Sequence, residues 1–334
     1  KLLVTGGTGF IGSHLAEAAL RQGCAVNVLG LTRSPDDAAN AEYLRSLGAS
    51  IYAGSVTDAA LCREALAGVT HVHHLAVAMR EAGGSDDYFM RVNLDGTRTV
   101  LDECKRQGVR RFIYCGTIGI FGHRFDGVYN EDSPKSPGNI YEETKLAAET
   151  LAIGYGREIG LETLSLRPAD VYGPRDARLR KLFVGVAGGR FPLFGDGAGR
   201  RHMIYVSDVV SAFQHASEHA DAIGKAMIVA GPEVCTLRKL IDLIREAAGR
   251  RRFGVRLPLA PMMAAAALTE DLCNGLGITP PIYRRRMDFF TSDCAFDTQL
   301  AEDTLGWRPS VGLEEGVAET LRSYQPPGER AAAT

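Results

Sequence analysis

Six short runs rich in β-branched and aromatic residues punctuate the first half of the chain: "KLLVTG", "AVNVLGL", "ASIYAG", "THVHHLA", "RRFIYCG" and "LETLSLRP". Stretches with helical periodicity separate them, among them "SHLAEAALRQG", "DAALCREALAG" and "VNLDGTRTVLDECKRQG". Strand and helix in strict alternation predict right-handed crossovers and a parallel sheet covered on both faces, an α/β doubly wound architecture. The rhythm changes after about residue 170, where longer loops ("YGPRDARLRK", "LFGDGAGRRH") interrupt it. Residues 1–170 thus read as a dinucleotide-binding domain of Rossmann type. Residues 171–325 read as a smaller, mixed substrate-binding lobe with possible returns to the main sheet, and 326–334 as a frayed tail.

Composition narrows the class. With 334 residues, 45% hydrophobic, 23% charged and a formal charge of -2, the chain suits an ordinary soluble enzyme and gives no footing for a nucleic-acid partner. Its seven cysteines are scattered without a CxxC pair, which favours reduced thiols in a cytoplasmic setting over disulfides or a metal site. "KLLVTGG" reaches its glycines too early for a signal peptide, and the most apolar late segment, residues 257–273, meets prolines and carboxylates before it spans a bilayer. No membrane partner is expected.

The first crossover carries "TGGTGFIG". Gly6, Gly9 and Gly12 fall where a tight turn, close approach to a pyrophosphate and close helix packing each exclude a side chain. The helix opening at Phe10 and Ile11 adds unpaired amides for phosphate. Where the second strand ends, Gly30 stands in place of the acid that binds an NAD ribose, and Arg33 is near enough to grip a 2'-phosphate; this pair favours NADP, with NAD as the alternative. Ser55 and Val56 follow the third strand at the adenine end, whereas Asp58 reads as an N-cap. Leu75 and small Ala76 end the fourth strand beside the expected dinucleotide. His73 and His74 point to opposite faces, a poor arrangement for a metal.

"YEETK" sets Tyr141 and Lys145 one helical turn apart. Together with "LVTGGTGFIG", "HHLAVA", "VNLDGTRTVLDEC", "FIYCGTIGIFG", "LRPADVYGP", "GDGAGRRHMIYVSDVV" and "LGWRPSVGLEEGV", in that order, it makes the chain resemble the extended short-chain dehydrogenase/reductase family, nearer its 3β-hydroxysteroid dehydrogenase-like branch. The resemblance implies an enzyme in which Tyr141 is the acid/base, Lys145 its electrostatic partner and a holder of the nicotinamide ribose, and Thr117 a hydrogen-bond donor to the reacting oxygen. It further implies Asn93 as structural support, Arg167 at the cofactor and Tyr172 at the substrate.

The subclass is less sharply marked. Ile118 and Gly119 supply no acid beside Thr117, which speaks against elimination. Arg201, and less certainly in register Arg285, match arginines that grip a nucleotide-sugar diphosphate. The segment at residues 257–290, an alanine and methionine helix followed by a double proline, instead resembles the steroid-type branch, whose corresponding region borders an apolar substrate. These features rank a secondary alcohol/ketone oxidoreductase first, a nucleotide-sugar 4-epimerase second and a non-catalytic dinucleotide-binding regulator third. A homodimer is expected through the helices of "NLDGTRTVLDECKRQ" and "YEETKLAAETLAIGYG", with Leu101, Ala147, Leu151 and Ala152 among their apolar positions.

Overall fold

The computed structural model describes residues 1–79, 85–122, 127–250, 256–276 and 289–325. All six sequence-predicted strands form: β1 (Leu2–Thr5), β2 (Val26–Gly30), β3 (Ser50–Ala53), β4 (His71–His74), β5 (Arg111–Cys115) and β6 (Glu162–Pro168). They pair in parallel in the order β3-β2-β1-β4-β5-β6, and a seventh strand from the later chain, Ala226–Val229, adds to the β6 edge, also parallel. The chain reverses its direction of travel along the sheet between β1 and β4, so a crevice opens at their carboxyl ends.

Helices α1 (Phe10–Arg21), α2 (Pro35–Ser46), α3 (Ala59–Ala65), α4 (Asp86–Phe89), α5 (Gly96–Gln107) and α6 (Ile140–Glu158) provide the crossovers. Their starts follow local chemistry. Ser34 caps α2 and precedes a proline in its first turn, Asp58 accepts from the amides of Ala60 and Leu61 to cap α3, and Asn139 accepts from Glu142 to cap α6. One apolar core lies on each face of the sheet, joined on one side by Leu15, Val28, Ile113 and Phe213 and on the other by Leu29, Val72, Phe112 and Ala148. His73 and His74 follow the same alternation. His73 packs on Phe213, and His74 stacks on Phe112 and Tyr114.

The smaller lobe holds two minor sheets. One is mixed, with Val234–Thr236 antiparallel and Asp170–Tyr172 parallel to the central Arg200–Tyr205; the other joins Leu193–Phe194 to Arg256–Leu257. Its own core gathers Tyr172, Phe183, Leu193, Leu240, Ile241 and Val317. A long helix, Leu259–Leu276, follows the second of these sheets in the chain. No described helix is long and apolar enough to cross a membrane.

Candidate active site

The glycine turn is fixed by backbone pressed against backbone. Gly6 has φ +66°, and a Cβ there would meet the Ala76 amide nitrogen at 2.8 Å. A Cβ on Gly12 would overlap the Gly6 carbonyl oxygen and lie 2.8 Å from the Gly7 Cα. Gly9 caps α1 with no side chain, so the first-turn amides at Phe10 and Ile11 face no side-chain cap. The cradle therefore fits the diphosphate of a dinucleotide, held by backbone amides at a helix start.

A buried hydrogen-bond chain ties this turn to the neighbouring strand. The Thr5 hydroxyl accepts from the amides of Leu75 and Ala76 at 3.2 and 3.3 Å and lies 2.9 Å from His74 Nδ1. His74 Nε2 is 3.0 Å from Thr97 Oγ1, whose proton goes to the Asn93 carbonyl at 2.6 Å. With both hydroxyls so engaged, the pattern assigns the proton to Nε2 of His74. Burial, with the Lys145 charge nearby, pushes the pKa of His74 down to about 3, so the relay is neutral. Asn93 itself sits in a π-helical turn, Met90–Asp95, between α4 and α5. Its Oδ1 accepts from the Ala78 amide at 2.7 Å and its Nδ2 donates to Thr144 Oγ1 at 2.9 Å, linking the end of β4 to α6.

Tyr141 is half-buried in the first turn of α6, and Lys145 is buried on the same helix face one turn on. The Lys145 ammonium donates to the Cys115 backbone carbonyl and stands 4.1 Å from the centre of the Tyr114 ring. Burial pushes its pKa down to about 8, with Cys115 and Glu149 acting in the opposite direction. Thr117, just past β5, caps a short 3-10 turn (Ile118–Phe121) that packs against α6. Its Oγ1 accepts from the Gly119 amide at 3.1 Å, which leaves its proton to donate. The structure thus gathers Thr117, Tyr141 and Lys145 on segments that meet at the ends of β5 and α6.

The remaining sequence candidates spread more widely. Ser55 is half-buried and bonded to Thr57, and Val56 is buried against Gly96. Arg167 is buried and spends three hydrogen bonds on Glu149, the shortest 2.6 Å, while its Nη1 is buried without a partner. Tyr172 is enclosed in the core of the lobe, edge-on to Tyr205. Arg201 binds Asp170 at 3.3 Å and the Phe289 carbonyl, stacks on the Phe289 ring, and buries an Nε that has no partner. Arg285 lies outside the described residues. Of the apolar positions expected at a dimer face, Leu101 and Ala152 are instead fully buried within this chain, leaving Ala147 exposed and Leu151 partly so. Among the described residues no group of histidines, cysteines and carboxylates has metal-site geometry.

Sequence reasoning missed two clusters. Glu149 is the buried partner of Arg167, and its spacing of four from Lys145 was the available signal. Arg175, the sole non-glycine with positive φ among the described residues (+68°), reaches from the lobe to Glu17 and Ser13 of α1. No spacing rule connects residues so far apart.

A model of the NAD dependent epimerase/dehydratase family matches residues 2–231, and the chain belongs to that family, the one containing NAD(P)-dependent dehydrogenases and epimerases of the extended short-chain type. Some of its relatives lie in the 3β-hydroxysteroid dehydrogenase-like branch. The 2-alkyl-3-oxoalkanoate reductase of Stenotrophomonas maltophilia is 27% identical over 95% of this chain and 97% of its own. Among solved structures, UDP-glucose 4-epimerase of Thermotoga maritima with UDP-glucose is 26% identical, with a TM-score of 0.79 over 97% of this chain and 98% of that one. DesIV, the dTDP-glucose 4,6-dehydratase of Streptomyces venezuelae, is also 26% identical with a TM-score of 0.79, over 97% of this chain and 96% of its own, and was solved with NAD bound.

These structures overturn the expectation of NADP, because the similar enzymes captured with a dinucleotide carry NAD. The physical reason lies in Gly30 and Arg33. A Cβ on Gly30 would overlap Thr8 Oγ1, a hydroxyl fixed at 2.7 Å to the Leu31 carbonyl, so the missing acid reflects packing and carries no information on the 2'-phosphate. Arg33 is exposed beside the cap of α2.

Proposed function

We propose that this protein is an NAD-dependent nucleotide-sugar 4-epimerase. The observation that carries the reading is that Tyr141 and a buried Lys145, anchored at the end of β5, share one face of α6, against which the turn begun by Thr117 packs. The cradle at Gly6, Gly9 and Gly12, the wall at Leu75 and Ala76, and Lys145 hold the dinucleotide. NAD supplies a hydride acceptor that also returns the hydride, so no net redox change is needed. Tyr141 takes the proton of the sugar hydroxyl and gives it back to the ketone oxygen. Lys145, as a cation, favours the phenolate in that exchange. Thr117 donates to the same oxygen and fixes its position. No acid follows Thr117 in "GTIGIFG", and Glu142, which packs beneath Gly119, accepts from the Gly138 amide at 2.7 Å; this disfavours elimination.

Arg201 supports the nucleotide-sugar class, since its guanidinium suits a diphosphate that replaces the internal acceptors Asp170 and Phe289. The test is incubation with NAD and UDP- or dTDP-hexoses, followed by NMR of the sugar. Formation of the 4-epimer without accumulation of NADH is expected, and Arg201→Ala should raise KM about tenfold to a hundredfold for the loss of a charge-assisted contact. A 4-keto-6-deoxy product, or turnover of plain ketones with no nucleotide-sugar turnover, would overturn the epimerase reading.

A second reading, reduction of a ketone on an apolar substrate, is favoured by one observation. The long lobe helix exposes Met263, Leu268 and Leu272, and Leu257 just before it is exposed as well. We further propose a cytoplasmic homodimer. All seven cysteines are free, and Ala147 and Leu151 leave apolar surface on α6. Sedimentation as a monomer throughout the micromolar range would exclude the dimer.

A further inference from the structure

The face of α6 that carries Tyr141 and Lys145 continues one turn further to Glu149. Glu149 is as deeply buried as Lys145, each 4% exposed. Ser165 and Arg167 fix its carboxylate: it accepts from Ser165 Oγ at 2.7 Å, from Arg167 Nε at 3.0 and 3.1 Å and from Arg167 Nη2 at 2.6 Å. The end of β5 lies directly on this cluster. A Cβ at Gly116 would come within 2.7 Å of Glu149 Oε2 and 2.9 Å of both Arg167 Cγ and Ser165 Oγ, so Gly116 is required by the carboxylate beneath it. Arg167 also spreads over Phe121, 5.5 Å from its ring centre, in the 3-10 turn that Thr117 begins. One buried ion pair therefore touches every segment that presents a proposed catalytic side chain.

A buried pair of this kind is a poor device for stability alone, since apolar replacements of similar volume often hold a fold as well or better. Its placement has another use. Lys145 is a buried cation whose hydrogen bond among the described residues goes to a neutral carbonyl. The groups facing it are Tyr114 and Cys115 from β5, His74 from β4, and Tyr141 and Glu149 from its own helix. Burial keeps His74, Tyr114 and Cys115 uncharged at neutral pH. Glu149 is the carboxylate of that shell, and it is shared with Arg167 from β6.

We propose that Glu149 is a positioning residue for proton transfer: its carboxylate, clamped by Arg167 and Ser165, keeps Lys145 charged and aimed at the end of β5. The proposal rests on the catalytic assignment of Tyr141 and Lys145. Removing the carboxylate takes away the anion that favours charged Lys145, so the lysine loses its proton at lower pH.

The experiment compares pH profiles of kcat and kcat/KM for the full-length enzyme with NAD and its nucleotide sugar. Glu149→Gln strands the Arg167 charge and risks unfolding, so the double variant Glu149→Gln/Arg167→Gln, neutral and still hydrogen-bonding, is measured beside it, with circular dichroism and Tm as folding controls. The expected result is an alkaline limb displaced downwards in both variants, by about one pH unit in Glu149→Gln and by less in the double variant, which loses the Arg167 cation together with the anion. At pH 9 the larger displacement is a loss of about tenfold in kcat, with little change in KM, and Glu149→Asp should restore part of it. A folded double variant with the parent's pH profile overturns the proposal while leaving the catalytic reading intact. Full turnover by Lys145→Met overturns the reading itself, and the proposal with it.

Discussion

The glycine cradle and the seams of the smaller lobe are built by different means. In the first, the decisive contacts are backbone on backbone: Gly6 against Ala76, and Gly12 against Gly6. In the second, side chains distant in sequence do the joining. Tyr205 donates to Glu319 at 2.7 Å, Asp208 accepts from Ser310 and Val311, and Arg200 pairs with Asp293 at 2.7 Å. A cofactor common to many enzymes needs one fixed cradle, which glycine alone admits. A variable substrate needs walls that can be exchanged singly, which side-chain links allow.

Substitutions on either side break or sharpen this contrast. Tyr141→Phe removes the proposed proton carrier and Lys145→Met the charge proposed to assist it, without touching the cradle. Each should lower kcat by about two to four orders of magnitude, as followed by NMR of the sugar, with NAD affinity changed far more by the lysine than by the tyrosine. Gly12→Ala forces a methyl onto the Gly6 carbonyl, and overpacking of this sort costs about 1–3 kcal/mol. Its Tm should fall, and NAD should bind too weakly to detect by calorimetry at micromolar protein. A lobe substitution such as Arg200→Ala should leave NAD binding unchanged.

Gly30→Ala sharpens the contrast by testing whether packing is why position 30 carries no side chain. It should destabilise through Thr8 by about 1–3 kcal/mol, and Thr8→Ala should recover most of that loss in a chemical denaturation series. A last effect, spread over the acid range, concerns the seam where the two regions meet. Arg175, Tyr43 and Arg21 hold the Glu17 carboxyl down at about 2 against burial, which opposes them, while burial and Arg175 push His14 down to about 4. Both folded values lie below the unfolded ones. His14 stability is therefore fully present above about 6.5 and is lost as pH falls towards 4, and that from Glu17 is present above about 4.5 and lost as pH falls towards 2. Denaturation midpoints taken from pH 7 to 3 should show this decline, and His14→Gln should flatten its upper part.

What was legible in the sequence follows the same division. The strands from β1 to β6 announce themselves because each is a short apolar run closed by a turn, and the cradle does so because its glycines sit at fixed offsets. Tyr141 and Lys145 were legible through their place in an ordered set of family-like motifs, since a spacing of four by itself marks any helix face. Gly30 misled because its reason for being glycine is Thr8, a neighbour in space and not in sequence. Arg201 and Tyr172 were found by motif, but that Arg201 binds Phe289 and that Tyr172 lies against Gly316 depends on how the lobe closes on itself. No local pattern records such closure.

The π-helical turn at Met90–Asp95 has a consequence for how such a protein can change by insertion and deletion. It amounts to one residue more than an α-helix accommodates, and each helical residue turns the face by about 100°. Deleting a residue on the N-terminal side of Asn93 within that turn would leave a continuous helix with α5 still in register against the sheet, while swinging Asn93 away from the amide of Ala78 and the hydroxyl of Thr144. The tie between β4 and α6 is in that sense a removable insert. A lineage could gain or lose it in one step without rebuilding the helix that bears it.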